Sequence, residues 1–171
     1  MPARVLCIVL ILMALGCGKG DGLSDYERMK KKQGNAAAAL ESLGAKIAPL
    51  HYPQGDAWSV TMPGLPVTDD VFDHLKKLGR ITELDLSKTA VSDAHMSRIN
   101  EVEIGSLLRK LNLSYTAVTD AGLEKLDKLL LLGELNLTGS KVTATGVNRF
   151  LQKRLEDPKI PAMFKRPTIR R

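Results

Sequence analysis

The chain has 171 residues, of which 44% are hydrophobic and 4% aromatic, and its formal net charge is +6. This length allows one modest core, so we expect a single domain with terminal extensions. The scarcity of aromatic side chains argues against a base-stacking nucleic-acid surface and against a carbohydrate platform.

The N-terminal segment has the features of a targeting sequence. Arg4 precedes an apolar run of about a dozen residues, which is too short to cross a bilayer as a stable helix and is typical of a secretory signal peptide. Two kinds of processing are open. Ala14 and Gly16 fit ordinary signal peptidase cleavage, whereas the sequence Leu-Gly-Cys at 15–17 resembles a bacterial lipobox, which implies a lipid on Cys17.

The cysteine count favours lipidation. Cys7 lies within the apolar run, so a chain that begins at Cys17 keeps a single thiol. An unpaired, exposed cysteine is a liability in an oxidising compartment unless its sulfur is capped. We therefore predict residues 1–16 to be a signal peptide and Cys17 to be the lipidation site. The predicted localisation is extracytoplasmic, lipid-anchored to a bacterial membrane, with secretion as the alternative.

The segment after the leader is predicted to form a tether and then a cap that covers the N-terminal end of the repeats. Residues 17–34 are predicted to be a lipid tether with a polar helix or linker. A second helix is predicted to begin with Asn35 as its N-cap and to end before Gly44. Two extended pieces are expected around the turn sequence at 53–56, so residues 35–59 are predicted to form the cap.

Residues 60–155 contain a sequence element that occurs in four copies. The copies align, with spacings of 24, 27 and 24 residues, on Val67, Val91, Val118 and Val142. A period in this range indicates a stacked repeat. Before each valine, apolar residues two apart predict a short strand: Val60 and Met62, Leu84 and Leu86, Leu111 and Leu113, and Leu135 and Leu137. After each valine, apolar residues at helical spacing predict a helix, as at Phe72, Leu75 and Leu78.

The start of each predicted helix carries residues that can cap it. Three residue pairs stand where the helices should begin: Thr68-Asp69, Ser92-Asp93 and Thr119-Asp120. The side-chain oxygens of both members of each pair can accept bonds from free amides. One strand and one helix cannot bury their own apolar faces, but stacked copies can share a core.

The best copy, residues 108–131, resembles the leucine-rich repeat family in its ribonuclease-inhibitor-like variety. The whole arrangement is similar to small bacterial leucine-rich repeat lipoproteins. The resemblance implies an α/β fold: a right-handed solenoid of about four repeats at 60–155, with a parallel concave sheet, outer helices and an N-terminal helical cap. Residues 156–171, where basic side chains are concentrated, are predicted to be a solvated C-terminal tail rather than a phosphate-binding arm.

In many members of this family an Asn or Cys after the strand bonds backbone groups of the neighbouring turn. The equivalent positions in this chain are Leu65, Thr89, Thr116 and Ser140. The resemblance therefore implies that hydroxyl groups supply those bonds here.

The resemblance also implies that strand side chains between the core leucines line the concave face. The candidate binding face comprises Glu83, Asp85, Ser87, Lys110, Asn112, Ser114, Tyr115, Glu134, Asn136 and Thr138. Because neighbouring strands lie about 4.8 Å apart, Glu83, Lys110 and Glu134 should form a row of alternating charge in which the opposite charges pair. The next polar residue of each strand should form a second row.

No group of residues in the sequence supports catalysis. His51, His74 and His95 lie at different phases of the pattern, without a cysteine or carboxylate arrangement typical of a metal site. There is no glycine-rich phosphate loop after a strand, and no motif places a base beside a serine. We therefore predict that the protein is not an enzyme and has no catalytic residue, metal site or cofactor.

The predicted function is a protein-binding or scaffold module, tethered to the bacterial envelope as a lipoprotein. Its partner is expected to be a protein or peptide of unknown identity, and not nucleic acid. The alternative is a secreted or host-directed leucine-rich repeat interaction protein that is cleaved by ordinary signal peptidase and carries no lipid.

Overall fold

The structure of the protein is a computed structural model that describes residues 24–53, 55–101, 104 and 107–171. The chain divides into two units, Met1–Lys31 and Lys32–Arg171. The predicted signal peptide and Cys17 lie outside the described residues. Within the described ranges, no helix combines the length and the apolar character needed to cross a membrane.

Helix α1 (Asp25–Ser42) is the first described element. The Glu27 amide donates to Ser24 Oγ at 3.2 Å, and the Ser24 amide donates to Glu27 Oε2 at 2.8 Å, which is a reciprocal capping box. The helix continues through Asn35, so the prediction of a separate helix capped there is wrong. Alanines after Asn35 favour continuation of a helix that is already capped at Ser24. The helix ends before Gly44, as predicted.

Six strands form one sheet in which the spatial order follows the chain order. The strands are β1 (Lys46–Tyr52), β2 (Gly55–Thr61), β3 (Ile81–Asp85), β4 (Lys110–Asn112), β5 (Glu134–Asn136) and β6 (Thr168–Arg170). β1 and β2 pair antiparallel, and each later strand pairs parallel with its predecessor. The two extended pieces predicted before residue 60 are therefore a hairpin. Pro49 lies in β1, an edge strand, which is the location in a sheet that tolerates proline.

Helices follow the parallel strands. They are α2 (Asp69–Leu78), α3 (Met96–Ile99), α4 (Asp120–Glu124), α5 (Ala144–Glu156) and a 3₁₀ turn (Ala162–Phe164). α2 agrees with the predicted helical spacing. α4 is shorter than predicted: it ends at Glu124. Leu126 and Leu129, which were predicted to lie on this helix, are nevertheless buried. Turns after the helix bring these two leucines to the core.

One hydrophobic core joins the strands to the helices. The alternating strand residues are at most 2% exposed, namely Val60, Met62, Leu84, Leu86, Leu111, Leu113, Leu135 and Leu137. They share one cluster with residues of the helices, including Phe72, Leu123 and Phe150. The predicted parallel strands and their buried face are confirmed.

Each parallel strand from β2 to β5 leads into a turn with one left-handed residue. These residues are Gly64, Lys88, Tyr115 and Gly139, with φ between 57° and 72°. The amides of Lys88 and Tyr115 donate to carbonyl oxygens of the next copy at 2.8 Å. Glycine adopts this conformation readily, whereas a side chain there costs about 1–2 kcal/mol. Lys88 and Tyr115 therefore carry a backbone cost that the two glycines avoid.

The hydroxyl groups that follow the strands bond their own turns. Thr89 and Thr116 are each 6% exposed. Their hydroxyls donate to Leu86 O at 2.6 Å and Leu113 O at 2.7 Å. The expectation that they would bond a neighbouring turn is wrong for these two residues, because the carbonyl three residues earlier lies within reach of each side chain.

The predicted solvated tail at 156–171 is instead ordered against the sheet. The Leu137 amide donates to Arg170 O at 2.7 Å, and the Thr168 amide donates to Gly133 O at 2.8 Å. An uncovered β5 would present unpaired backbone groups at the sheet edge, and β6 pairs with them. The basic side chains do not prevent this pairing, since it uses the backbone.

Arg154 of α5 links the last helix to the C-terminal segment. Its side chain is 3% exposed. The guanidinium donates to Leu129 O at 2.8 Å and to Phe164 O at 2.7 Å. Burial lowers the pKa of Arg154 from its ordinary value, and the nearby Asp157 opposes this. Arg154, which directly precedes the predicted tail, is therefore a buried structural group.

Candidate functional site

Two rows of polar side chains cross the sheet on the face opposite the core, which we name the polar face. The first row contains Ser59, Glu83, Lys110, Glu134 and Thr168, and the second contains Thr61, Asp85, Asn112, Asn136 and Arg170. Together they line a groove of about 420 Å³. The six strand residues predicted for the binding face are therefore brought together, and β6 adds two more.

The charged members of the first row pair with one another. Lys110 Nζ lies 3.2 Å from Glu83 Oε1 and 3.9 Å from Glu134 Oε1. Ser59 Oγ donates to Glu83 Oε2 at 3.2 Å. The hydrogen bond and charge of Glu83, followed by the charge of Glu134, raise the pKa of Lys110. The predicted row of alternating charge is confirmed, and its two carboxylates against one ammonium group leave a net charge of −1.

The second row ends the strands. The amides of Ser87, Ser114 and Thr138 donate to Asp85 Oδ1 at 2.8 Å, to Asn112 Oδ1 at 3.1 Å and to Asn136 Oδ1 at 3.1 Å, respectively. These bonds form Asx turns, in which a side-chain oxygen replaces a backbone acceptor. The oxygens are committed to the turns, so the Nδ2 groups of Asn112 and Asn136 are the donors available to a ligand.

Four residues of the predicted face lie outside the groove. Ser87 and Ser114 are buried at 7% and 6% exposure, and Thr138 is half-buried. Tyr115 is 59% exposed, but its ring lies against Gly139 in the turn. The prediction extended the strands too far, because the Asx turns redirect the backbone before these four positions.

Thr168 and Arg170 belong to the groove but were not predicted. Their sequence, Thr168-Ile169-Arg170, has the same polar-apolar-polar order as Lys110-Leu111-Asn112. That order was the available signal. It was outweighed by the basic composition of the surrounding residues.

On the helix side, aspartates link successive copies of the sequence element. Asp93 Oδ1 accepts from the Thr119 amide at 2.8 Å, and Asp93 Oδ2 accepts from Thr119 Oγ1 at 2.6 Å. Asp120 contacts Thr143 in the same way, at 2.7 and 2.6 Å. The Thr143 hydroxyl and amide bonds lower the pKa of Asp120.

The sequence predicted that these aspartates cap their own helices. That prediction is wrong, because they bond the next copy instead. The threonine hydroxyls cap the helices at two positions: Thr119 Oγ1 accepts from the Ala121 amide at 3.2 Å, and Thr143 Oγ1 accepts from the Gly146 amide at 3.1 Å. Thr68 makes no such bond. Both carboxylate oxygens of each aspartate are bonded to the threonine of the next copy.

Two glycines make room for the linking aspartates. A Cβ added to Gly122 would overlap Asp93 Oδ1, and a Cβ added to Gly146 would overlap the carboxyl group of Asp120. Each glycine therefore lies where a carboxylate from the preceding copy must pass. The aspartate of one copy, together with the threonine and the glycine of the next copy, therefore forms a single contact between the two copies.

His51 and His95 have different partners in the structure. His51 Nδ1 lies 2.7 Å from Asp56 Oδ1 on the hairpin, with both side chains exposed. The His95 ring stacks on Phe72 at 5.7 Å between centroids. Among the residues that the structure describes, no three His, Cys, Asp or Glu side chains are grouped in a way that could hold a metal ion.

A comparison with family models matches residues 106–126 to a leucine-rich repeat. The matched stretch contains β4, the turn with Tyr115, and α4. The comparison with curated proteins gave no match. The family match supports a leucine-rich repeat protein, and a domain of this kind suggests a protein-interaction module.

Proposed function

We propose that the protein is a non-catalytic interaction module, built as a right-handed solenoid of four ribonuclease-inhibitor-like leucine-rich repeats. In this proposal the polar face binds a protein or peptide partner. The observation that carries it is the groove of about 420 Å³ lined by both polar rows. Side chains there are held in place, Asn112 and Asn136 by turns and Lys110 by two glutamates. Such pre-organisation reduces the ordering cost of binding.

The dimensions of the polar face favour a peptide-sized partner. The five strands that line the groove span roughly 19 Å at about 4.8 Å per neighbour. A standard protein interface buries about 800 Å² on each side, which is more than a surface this narrow offers. Glu83, Lys110 and Glu134 pair with one another, an arrangement that suits recognition better than proton transfer.

Glu134 provides a test of the polar face. It is partly exposed beside Lys110, so Glu134→Lys places a positive charge where the row needs a negative one. We expect recovery of a partner from bacterial envelope extract to fall about tenfold, which corresponds to about 1.4 kcal/mol. The matched control is Glu41→Lys, the same change at an exposed position of α1. Equal recovery with both variants would contradict binding at the polar face.

We further propose that a lipid on Cys17 holds the module at the bacterial envelope. The apolar leader and the single remaining thiol support this. Intact mass of the mature protein should show a diacylglyceryl group on Cys17, and Cys17→Ala should move the protein from the membrane fraction to the soluble fraction. Ala14 and Gly16 support the alternative, a secreted or host-directed interaction protein, for which the mass would show no lipid and Cys17→Ala would change nothing.

A further inference from the structure

A second exposed surface lies along the turns that follow the strands, which we name the turn edge. It consists of Pro63, Gly64, Lys88, Ala90, Tyr115, Ala117, Gly139 and Lys141, all exposed. None of these residues is acidic, and two are lysines. The turn edge is separate from the polar face, because none of its residues lines the groove.

Tyr115 is the large exposed side chain of the turn edge, at 59% exposure. Its backbone is left-handed, with φ of 57°, whereas two of the four equivalent positions are Gly64 and Gly139. A bulky residue in this conformation costs about 1–2 kcal/mol. Glycine at 115 would satisfy the backbone better, so folding alone does not account for the tyrosine.

The Tyr115 ring contacts its own turns although it is exposed. It lies against Gly139, where an added Cβ would come within 2.6 Å of Tyr115 Cδ1. Lys88 Nζ lies over the ring, 6.0 Å from its centroid. An aromatic side chain that packs on its neighbours and is mostly exposed has the properties of an interface anchor.

The lysines of the turn edge have no acidic partner in the described part of the chain. Neither Lys88 nor Lys141 lies within ion-pair distance of a described carboxylate, whereas Lys110, Arg98 and Arg149 do. The turn edge therefore presents uncompensated positive charge beside an aromatic ring. Charge of this sign is complementary to a negatively charged partner.

We propose that the turn edge binds an acidic segment of a partner protein. Tyr115 packs against an apolar side chain of that segment, and Lys88 and Lys141 face its carboxylates. The site does not depend on the polar face and would exist even if the groove bound nothing.

The test uses a fluorescein-labelled peptide of alternating glutamate and leucine, with alternating lysine and leucine as its charge-reversed control. Anisotropy should show saturable binding of the acidic peptide alone, weakening as NaCl rises. Tyr115→Gly should weaken binding about 30-fold, as expected for an anchor worth 2 kcal/mol. In NMR spectra, the amide signals of Lys88, Tyr115 and Lys141 should shift on addition of the peptide.

Two controls separate this site from a general charge effect or a folding defect. Lys153→Ala removes an exposed lysine of α5 and should leave binding unchanged, whereas Lys88→Ala should weaken it about fivefold. Tyr115→Gly should keep or raise the melting temperature, because it removes the backbone cost. Equal effects of the two lysine variants, unchanged binding by Tyr115→Gly, or shifts concentrated at Lys110 and Asn112 would each overturn the proposal.

Discussion

Replacement of Gly122 by alanine tests the contact between copies. It should destabilise the protein, whereas the same replacement in a helix usually stabilises. In the interior of a helix, Gly→Ala ordinarily stabilises by about 1 kcal/mol. In α4 the alanine Cβ would overlap Asp93 Oδ1 and lie 3.0 Å from Asp93 Cγ and 3.1 Å from Met96 Cγ. Asp93 would therefore have to move away from Thr119.

The magnitude follows from the two bonds between Asp93 and Thr119, at 2.8 and 2.6 Å. A hydrogen bond to a charged group contributes about 1.5–3 kcal/mol, and the half-buried position of Asp93 favours the lower value. The pair is then worth about 3 kcal/mol, against which the helix gains about 1 kcal/mol from alanine. We expect Gly122→Ala to lower the free energy of unfolding by about 2 kcal/mol.

Urea unfolding measures this change, and two variants serve as controls. Gly34→Ala lies in α1 with no atom within 4 Å of the added Cβ, so it should stabilise by about 0.5–1 kcal/mol. In an Asp93→Ala background the overlap is gone, and Gly122→Ala should also become stabilising. If Gly122→Ala stabilised the otherwise unchanged protein as Gly34→Ala does, the proposed contact would be refuted.

Three further predictions concern the core, the charge links and the C-terminal segment. Leu113→Ala should lower the free energy of unfolding by about 2–5 kcal/mol, because the side chain is fully buried; a negligible loss in urea unfolding would contradict its place in the core. The lowered pKa of Asp120 means that its contribution to stability is complete above the ordinary value of 3.8 and is lost as the pH falls through the lower folded value. The free energy of unfolding should therefore decrease less steeply with falling pH for Asp120→Asn than for the unchanged protein. Identical pH profiles of the two proteins would argue against the link to Thr143. Arg154→Met should release the C-terminal segment and speed hydrogen exchange of the Leu137 amide, which bonds Arg170; unchanged protection would show that β6 does not need Arg154.

The strand faces could be predicted from the sequence because alternation alone assigns them. Once Leu84 and Leu111 are placed in the core, Glu83 and Lys110 must lie on the other face, side by side. The ends of the strands could not be predicted in this way. They depend on whether the side chain of Asn112 accepts a bond from the backbone two residues later, and the same residue could equally point into solvent.

The C-terminal strand could not be predicted for a different reason. Composition describes charge but not where each charge lies, and Arg154 is buried against carbonyl oxygens while Arg170 lies in the polar face. β6 lies outside the repeated sequence element that made the equally short β4 and β5 recognisable. Its pairing is decided by the open edge of β5, which exists only in the folded protein.

The aspartate links were also beyond a local reading of the sequence. A Thr-Asp pair at the start of a helix has oxygens that can cap that helix or reach another part of the chain, and only the stacking of copies decides between the two. Asp93 and Thr119 are 26 residues apart. Their pairing becomes visible only with Gly122, whose missing side chain leaves the space that Asp93 occupies.

The second copy supports this coupling, because it lacks the glycine and its Ser92 amide bonds no aspartate of the first copy. His95 stands where the third copy has Gly122, and the Ser92 amide, equivalent to that of Thr119, donates to His95 Nδ1 at 3.1 Å. The ring also stacks on Phe72 of the preceding copy. The first amides of a helix have no acceptor within the helix and need one from elsewhere. Where glycine is present, the preceding copy supplies the acceptor, and where it is absent, the histidine supplies both the acceptor and the contact between copies.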